Sequence, residues 1–176
     1  MVNWFEMAFH QVKLACSGEK PMDKRQVLID RLAQARTSML VHLETVDKNR
    51  KIYPLWTIRE ILAHIAGWDD ATIAFIQAIV QGGQPGLTLA AQGIDVYNAE
   101  TVSTREGLSY DHIYREYIET RRTLLDLIRQ MPEELVTKAY ILPWGGYGTL
   151  EDMVNIFAPH EEDHAEDVRK IVAQAH

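Results

Sequence analysis

Four long stretches of this chain place apolar residues three, four and seven positions apart, and almost nothing in it alternates as a strand does. The first runs from about Asp23 to Val46, with Val27, Leu28, Leu32, Ala35, Met39, Leu43 and Val46 in phase. The second runs from Thr57 to about Gln81 and carries Ile58, Ile61, Leu62, Ile65 and Trp68 on one face. The third spans Ser109 to about Met131, with Ile113, Tyr117, Leu124 and Ile128 as its stripe. The fourth starts at Thr149 and reaches nearly to the C-terminus, using Leu150, Met153, Val154, Phe157, Val168 and Ile171. Asp23 with Gln26, Thr57 with Glu60 and Thr149 with Asp152 have the spacing of helix start signals. Gly82-Gly83-Gln84-Pro85-Gly86 stops the second helix and Pro132 follows the third. Only Ala139 to Leu142 reads as extended, before the Pro143-Trp144-Gly145-Gly146 turn. The pattern predicts an all-α four-helix bundle.

The connections predict its topology. About ten residues join the first two helices, which suits an antiparallel pair. The stretch from Gly82 to Leu108 is too long for a plain bundle loop. It can cross the length of the bundle, with a short helix around Asp95–Thr104, and bring the next helix back parallel to the second. The expected arrangement is up-down-down-up with one long crossover.

Composition removes several function classes. The 176 residues suffice for one domain with a sizeable core. A net charge of −7 argues against a nucleic-acid partner, which needs a basic face. No run approaches the length of a membrane span, so no membrane partner is expected. Cys16 stands alone, which excludes an internal disulfide and fits a cytoplasmic location. Residues 1–21 read as an N-terminal appendage, because a strong helix start follows Met22 directly. Residues 22–176 then form the bundle domain.

Near the end lies His160-Glu161-Glu162-Asp163-His164, an H-E-x-x-H run. Histidines four apart share a helical face and can grip one metal ion. A zinc peptidase would use Glu161 as general base. That reading lacks its third ligand: position 170 is Lys, only twelve residues follow His164, and no sheet edge is available to hold a peptide. A di-iron bundle would need a second E-x-x-H, and Ile61 stands where the glutamate before His64 should be. A third ligand from upstream remains. Of His10, His42, His64, His112 and His176, His64 stands out. It shares a face with Ile61, Ile65 and Trp68 and is bracketed by Trp56 and Trp68, an apolar collar that strengthens metal–ligand electrostatics. Pro159, just before the pair, removes a helical hydrogen bond and is expected to kink the helix.

The run Trp56-Thr57-Ile58-Arg59-Glu60-Ile61-Leu62-Ala63-His64-Ile65-Ala66-Gly67-Trp68 resembles the second helix of the DinB/YfiT-like superfamily. His160-x-x-x-His164 is similar to that superfamily's fourth helix. The resemblance covers about residues 23–174, and the Gly-Trp pair after His64 with Tyr97-Asn98 in the crossover also resembles the ClbS/DfsB branch. It implies one metal on three histidines with positions left open, which here would be His64, His160 and His164. It also implies Zn or Ni, with Fe or Mn as alternatives, and activities that include thiol-dependent transfer and isomerisation.

Such a site lowers the pKa of a bound water or thiol, so two chemistries follow: hydrolysis, or activation of a low-molecular-weight thiol for transfer to a small molecule. Glu161 is the candidate catalytic base or ligand-supporting residue. A pocket between the crossover and the Trp144–Gly148 loop would draw on Asp95, Tyr97, Asn98, Trp144 and Tyr147. The competing expectation is a non-catalytic bundle that binds a small molecule or only forms a homodimer, with the metal structural or vestigial.

Overall fold

The computed structural model describes residues 22–174; the expected appendage at 1–21, with His10, and His176 lie outside the described residues. Five helices and one small hairpin follow in order: α1 (Lys24–Leu43), α2 (Ile58–Val80), α3 (Ile94–Ser103), α4 (Tyr110–Gln130), β1 (Tyr140–Ile141), β2 (Tyr147–Gly148) and α5 (Leu150–Ala173). Single 3-10 turns precede α3 and follow α4. No helix is long and apolar enough to cross a membrane among the described residues.

The starts of the long helices follow side-chain chemistry. At α2, Thr57 accepts from the backbone while Glu60 Oε2 accepts from Thr57 N at 2.7 Å, closing a reciprocal cap. Thr149 and Asp152 repeat the device at α5. Asp23 caps α1 alone: its Oδ1 accepts from Arg25 N at 2.9 Å, while the Gln26 amide donates to Asp30 instead of completing a box. Gly82, with φ of 73°, ends α2 in the left-handed region that glycine tolerates.

Two apolar layers establish the helix directions. One holds Leu28 and Leu32 of α1, Phe75 and Ile79 of α2, Leu124 and Ile128 of α4, and Leu150 and Met153 of α5. The other holds Met39, Ile58, Ile61, Ile113, Tyr117, Ala165 and Val168. The start of α1 therefore sits with the start of α5 and with the ends of α2 and α4. This is the up-down-down-up bundle, with α1 packed chiefly on α5 and α2 chiefly on α4. Each large side chain buried in these layers contributes about 1.5–3 kcal/mol.

The crossover carries α3 across α2. A Cβ on Gly67 would meet Thr101 Cγ2 at 2.5 Å, so the missing side chain lets the two helices touch. Tyr97 Oη donates to Gly67 O at 2.6 Å and the Trp68 indole donates to Asn98 Oδ1 at 3.1 Å. Those contacts bring Asn98 beside the second-helix histidine. The hairpin is shorter than the extended stretch expected from sequence, with Tyr140 opposite Gly148 and Ile141 opposite Tyr147. Helix α5 runs without a break through Pro159. The proline faces solvent, so the carbonyl it leaves unpaired, that of exposed Asn155, can turn to water.

Candidate metal centre

His64 lies on the buried face of α2; His160 and His164 lie one turn apart on α5, which runs antiparallel to it. The bundle brings all three together. His64 Nε2 is 3.3 Å from His160 Nε2, and His164 Nε2 is 3.0 Å from His160 Nε2. One ligand atom from each residue lies within 4.8 Å of the others. Nitrogens bound to one zinc at about 2.0–2.1 Å stand roughly 3.3 Å apart at a tetrahedral angle and roughly 2.9 Å apart at a right angle. The donor set and its spacing therefore fit a single divalent ion. His42 and His112 do not approach this group: one sits in the last turn of α1 and the other is exposed in the first turn of α4.

The surroundings keep the histidines neutral, the state in which they ligate. Burial pulls His64 down to about 3, aided by repulsion from His160 and His164. Burial likewise pulls His164 down to about 4, with His160 adding to the shift. Burial lowers His160 as well, opposed by Glu161 and Asp163. Trp56 tilts against His64, ring centroids 5.1 Å apart, as part of the expected apolar collar.

Polar support is unequal. His64 Nδ1 is buried without a hydrogen-bond partner. His164 Nδ1 lies 2.7 Å from Tyr53 Oη, and Tyr53 donates to Asp167 Oδ2 at 2.9 Å. With the phenol proton committed to Asp167, His164 must donate Nδ1–H to Tyr53, which turns its Nε2 lone pair toward the other histidines. Asp167 is held low by hydrogen bonds from Lys170 and then Tyr53, so it stays an acceptor. Replacing Tyr53 with Phe should lower metal affinity about 10- to 100-fold with little change in fold, measured by competition with a chromophoric chelator. An unchanged affinity would remove Tyr53 from the site.

Glu161 is placed elsewhere than the sequence suggests. It is neither among the histidine ligands nor at the helix surface: it is 1% exposed, within a buried charge cluster. Its Oε2 accepts from Arg121 at 2.7 Å and its Oε1 accepts from the Tyr117 hydroxyl at 2.5 Å. Arg36 Nε is 2.7 Å from Oε1 but is not aligned to donate, so that contact is an ion pair without a hydrogen bond. Asp69 completes the cluster, bridging Arg36 Nη2 and Arg121 Nη2, each at 2.9 Å. Arg121 also donates to Leu32 O at 2.7 Å, and Arg36 to Tyr117 O.

Two cavities border the histidines and share Asn98. The first, about 310 Å³, is lined by His64, His160, Trp68, Trp144, Phe157 and neighbouring isoleucines. The second, about 670 Å³, is lined by His164, Tyr53, Leu55, Trp56, Asp95 and Ala99. Of the expected pocket residues, Asn98 lines both, Trp144 the first and Asp95 the second. Tyr97 is a brace against Gly67 and Trp68. Tyr147 is 80% exposed on the hairpin and lines neither. Tyr53, Asp167, Arg36, Asp69 and Arg121 escaped the sequence reading. Arg36 and Arg121 each interrupt an apolar stripe, and Asp167 follows His164 by three, signals that were there to be read.

The fold has close counterparts of known structure. A mycothiol-dependent maleylpyruvate isomerase superposes with a TM-score of 0.68 at 15% identity, covering 82% of this chain and 60% of its own. The chain thus spans about 60% of that enzyme's length. The colibactin self-resistance protein ClbS, solved with double-stranded DNA, gives 0.67 at 14% identity, covering 83% and 93%. An uncharacterised protein from Escherichia coli UTI89 gives 0.65 at 13%, covering 84% and 92%. At such identities the likeness concerns fold alone. No curated protein sequence matches the chain. The DinB superfamily profile matches residues 31–168, well over half of the sequence, and the chain belongs to that superfamily.

Proposed function

We propose that this protein is a metal-dependent enzyme in which His64, His160 and His164 hold one divalent ion, and that it joins a low-molecular-weight thiol to, or uses one to rearrange, a small apolar molecule. The observation that carries this reading is the pair of cavities on the histidine cluster, one bordering His64 and His160 and the other bordering His164. Two adjoining compartments suit a reaction with two small partners. The mycothiol dependence of the structurally similar isomerase supports a thiol as one of them. Hydrolysis at the same site is the second reading, since activation of water needs the same donors.

The ion, Zn or Ni with Fe or Mn as alternatives, would supply Lewis acidity that makes a thiol or water more acidic. The chain's own residues do the rest. Tyr53 and Asp167 orient His164 through its Nδ1. Trp68, Trp144 and Phe157 give the His64–His160 side an apolar wall. Asn98, its carbonyl tied to Trp68, turns the NH2 end of its amide to a ligand's acceptor. Glu161 serves the scaffold: both its oxygens are bound to Arg36, Arg121 and Tyr117, which leaves it unsuited to take a proton at the site. In this reading the protein has a solution role in small-molecule chemistry, and a homodimer is compatible with it.

The test uses cobalt-loaded protein titrated with N-acetylcysteine. A thiolate-to-cobalt charge-transfer band in the near ultraviolet is the expected result, lost in the His160→Ala variant. A visible cobalt spectrum that responds to hydroxide or acetate but never to the thiol would replace thiol transfer with hydrolysis. A protein that takes up no cobalt would end both readings and favour the non-catalytic bundle.

A further inference from the structure

The first cavity has a wall chemistry that selects its occupant. Trp68 and Phe157 are tilted against each other, with centroids 5.1 Å apart and planes at 36°. Trp144 meets both edge-on, at 76° to Trp68 and 82° to Phe157, with centroids 6.0 and 5.8 Å away. Aromatic walls at right angles favour a flat ring that stacks on one and meets the edge of another. Ile94 and Ile156, 47% and 52% exposed, border the open side.

Formal charge is missing from this lining. Among the described residues, no Lys, Arg, Asp or Glu side chain borders the first cavity, and Asp95 is the one charged residue bordering the second. The nearby Arg59 and Arg105 are committed elsewhere. Arg59 pairs with Glu60 and donates to the carbonyls of Arg105 and Leu108, and Arg105 binds Asp70 and Glu116. Asn98 is thus the neutral polar group common to both cavities. Its Oδ1 accepts from the Trp68 indole, which fixes the amide and leaves its NH2 group as the donor end for a ligand.

From these observations we infer that the first cavity binds the flat, uncharged apolar body of the substrate, with a ketone-, ester- or amide-type oxygen accepting from Asn98, and that its walls, apart from the ion proposed at His64 and His160, select against carboxylates. The inference rests on the functional reading above only in naming this occupant the substrate. A carboxylate against these walls would give up its hydration without meeting a guanidinium or ammonium. A carbonyl oxygen loses less on leaving water and regains a hydrogen bond.

A near-isosteric pair of probes decides the matter: 2-acetylnaphthalene and 2-naphthoate. The titration uses metal-free full-length protein, so an ion's charge plays no part and the outcome is independent of whether the protein binds metal or turns over anything. The readout is the indole N–H resonances in nitrogen-15 spectra. 2-Acetylnaphthalene should shift Trp68 and Trp144, and 2-naphthoate should bind at least about tenfold more weakly. Asn98→Ala should weaken 2-acetylnaphthalene about two- to tenfold, the range of one neutral hydrogen bond. Because that variant also frees the Trp68 indole, Ile94→Lys provides a second arm. It places a cation at the exposed rim and should improve naphthoate binding while sparing the neutral probe. Equal affinity for the two probes, shifts confined to other tryptophans, no binding by either, or an Ile94→Lys protein that still rejects naphthoate would each overturn the inference.

Discussion

The His64→Ala protein should fold and fail to retain stoichiometric metal. Structural zinc sites release about 10–16 kcal/mol over four ligands, so roughly 2.5–4 kcal/mol falls to each. Losing one histidine of three should therefore weaken binding about 60- to 700-fold, since about 1.4 kcal/mol is a factor of ten. Wild-type protein purified and dialysed without chelator should carry close to one equivalent by elemental analysis, and the variant less than about a tenth of that. The fold should survive because the residue removed has an unpartnered Nδ1, so its deletion relieves an unsatisfied polar group as it opens a small void. Equal metal content in the two proteins would show that the histidines hold nothing.

Glu161→Ala should instead act on stability. The substitution leaves Arg36 and Arg121 facing Asp69 alone, an uncompensated positive charge beneath the histidines, and strips the Tyr117 hydroxyl of its acceptor. Breaking a buried ion pair by removing one partner costs about 3–5 kcal/mol. That is a large part of the 5–15 kcal/mol typical of a domain, given roughly. Urea titration followed by far-ultraviolet circular dichroism should show the loss as a lowered midpoint with a similar slope. Pairing Glu161→Leu with Arg121→Met should cost much less than the two single changes added together, because the pair removes both signs at once. A Glu161→Ala protein within about 1 kcal/mol of wild type, but inactive, would return Glu161 to the role of catalytic base.

The helices were legible because each writes its own pattern. The stripe from Leu28 to Val46, the Thr57–Glu60 and Thr149–Asp152 caps and the glycine stop after Gln81 are local, and local chemistry survives folding. The third histidine was legible for a related reason: His64 sits in phase with Ile61, Ile65 and Trp68, so its burial follows from its own helix. Glu161 was not. Arg36 follows Leu32 by four, Arg121 follows Tyr117 by four, and Glu161 follows Ala158 by three, so all three lie on buried stripes. A charge on a stripe is tolerable only when its counter-charge arrives from another helix, and periodicity within one helix carries no information about that arrival. Tyr53 was hidden for the same reason, because its loop position relative to His164 is created by the bundle. Asp23 with Gln26 shows the converse, a local signal outcompeted by Asp30 one turn on.

Two of the clustered histidines, His64 and His160, are 96 positions apart along the chain. A chain tied at those two points while unfolded would surrender about 4–5 kcal/mol of loop-closure freedom, as a disulfide spanning a similar length does. Nothing ties them in the unfolded chain, so that freedom is given up on folding, and an ion bound as proposed would be lost when the bundle opens. Such an ion would act as a removable staple between α2 and α5. Its resistance to unfolding would rise and fall with the supply of metal around it, by mass action alone.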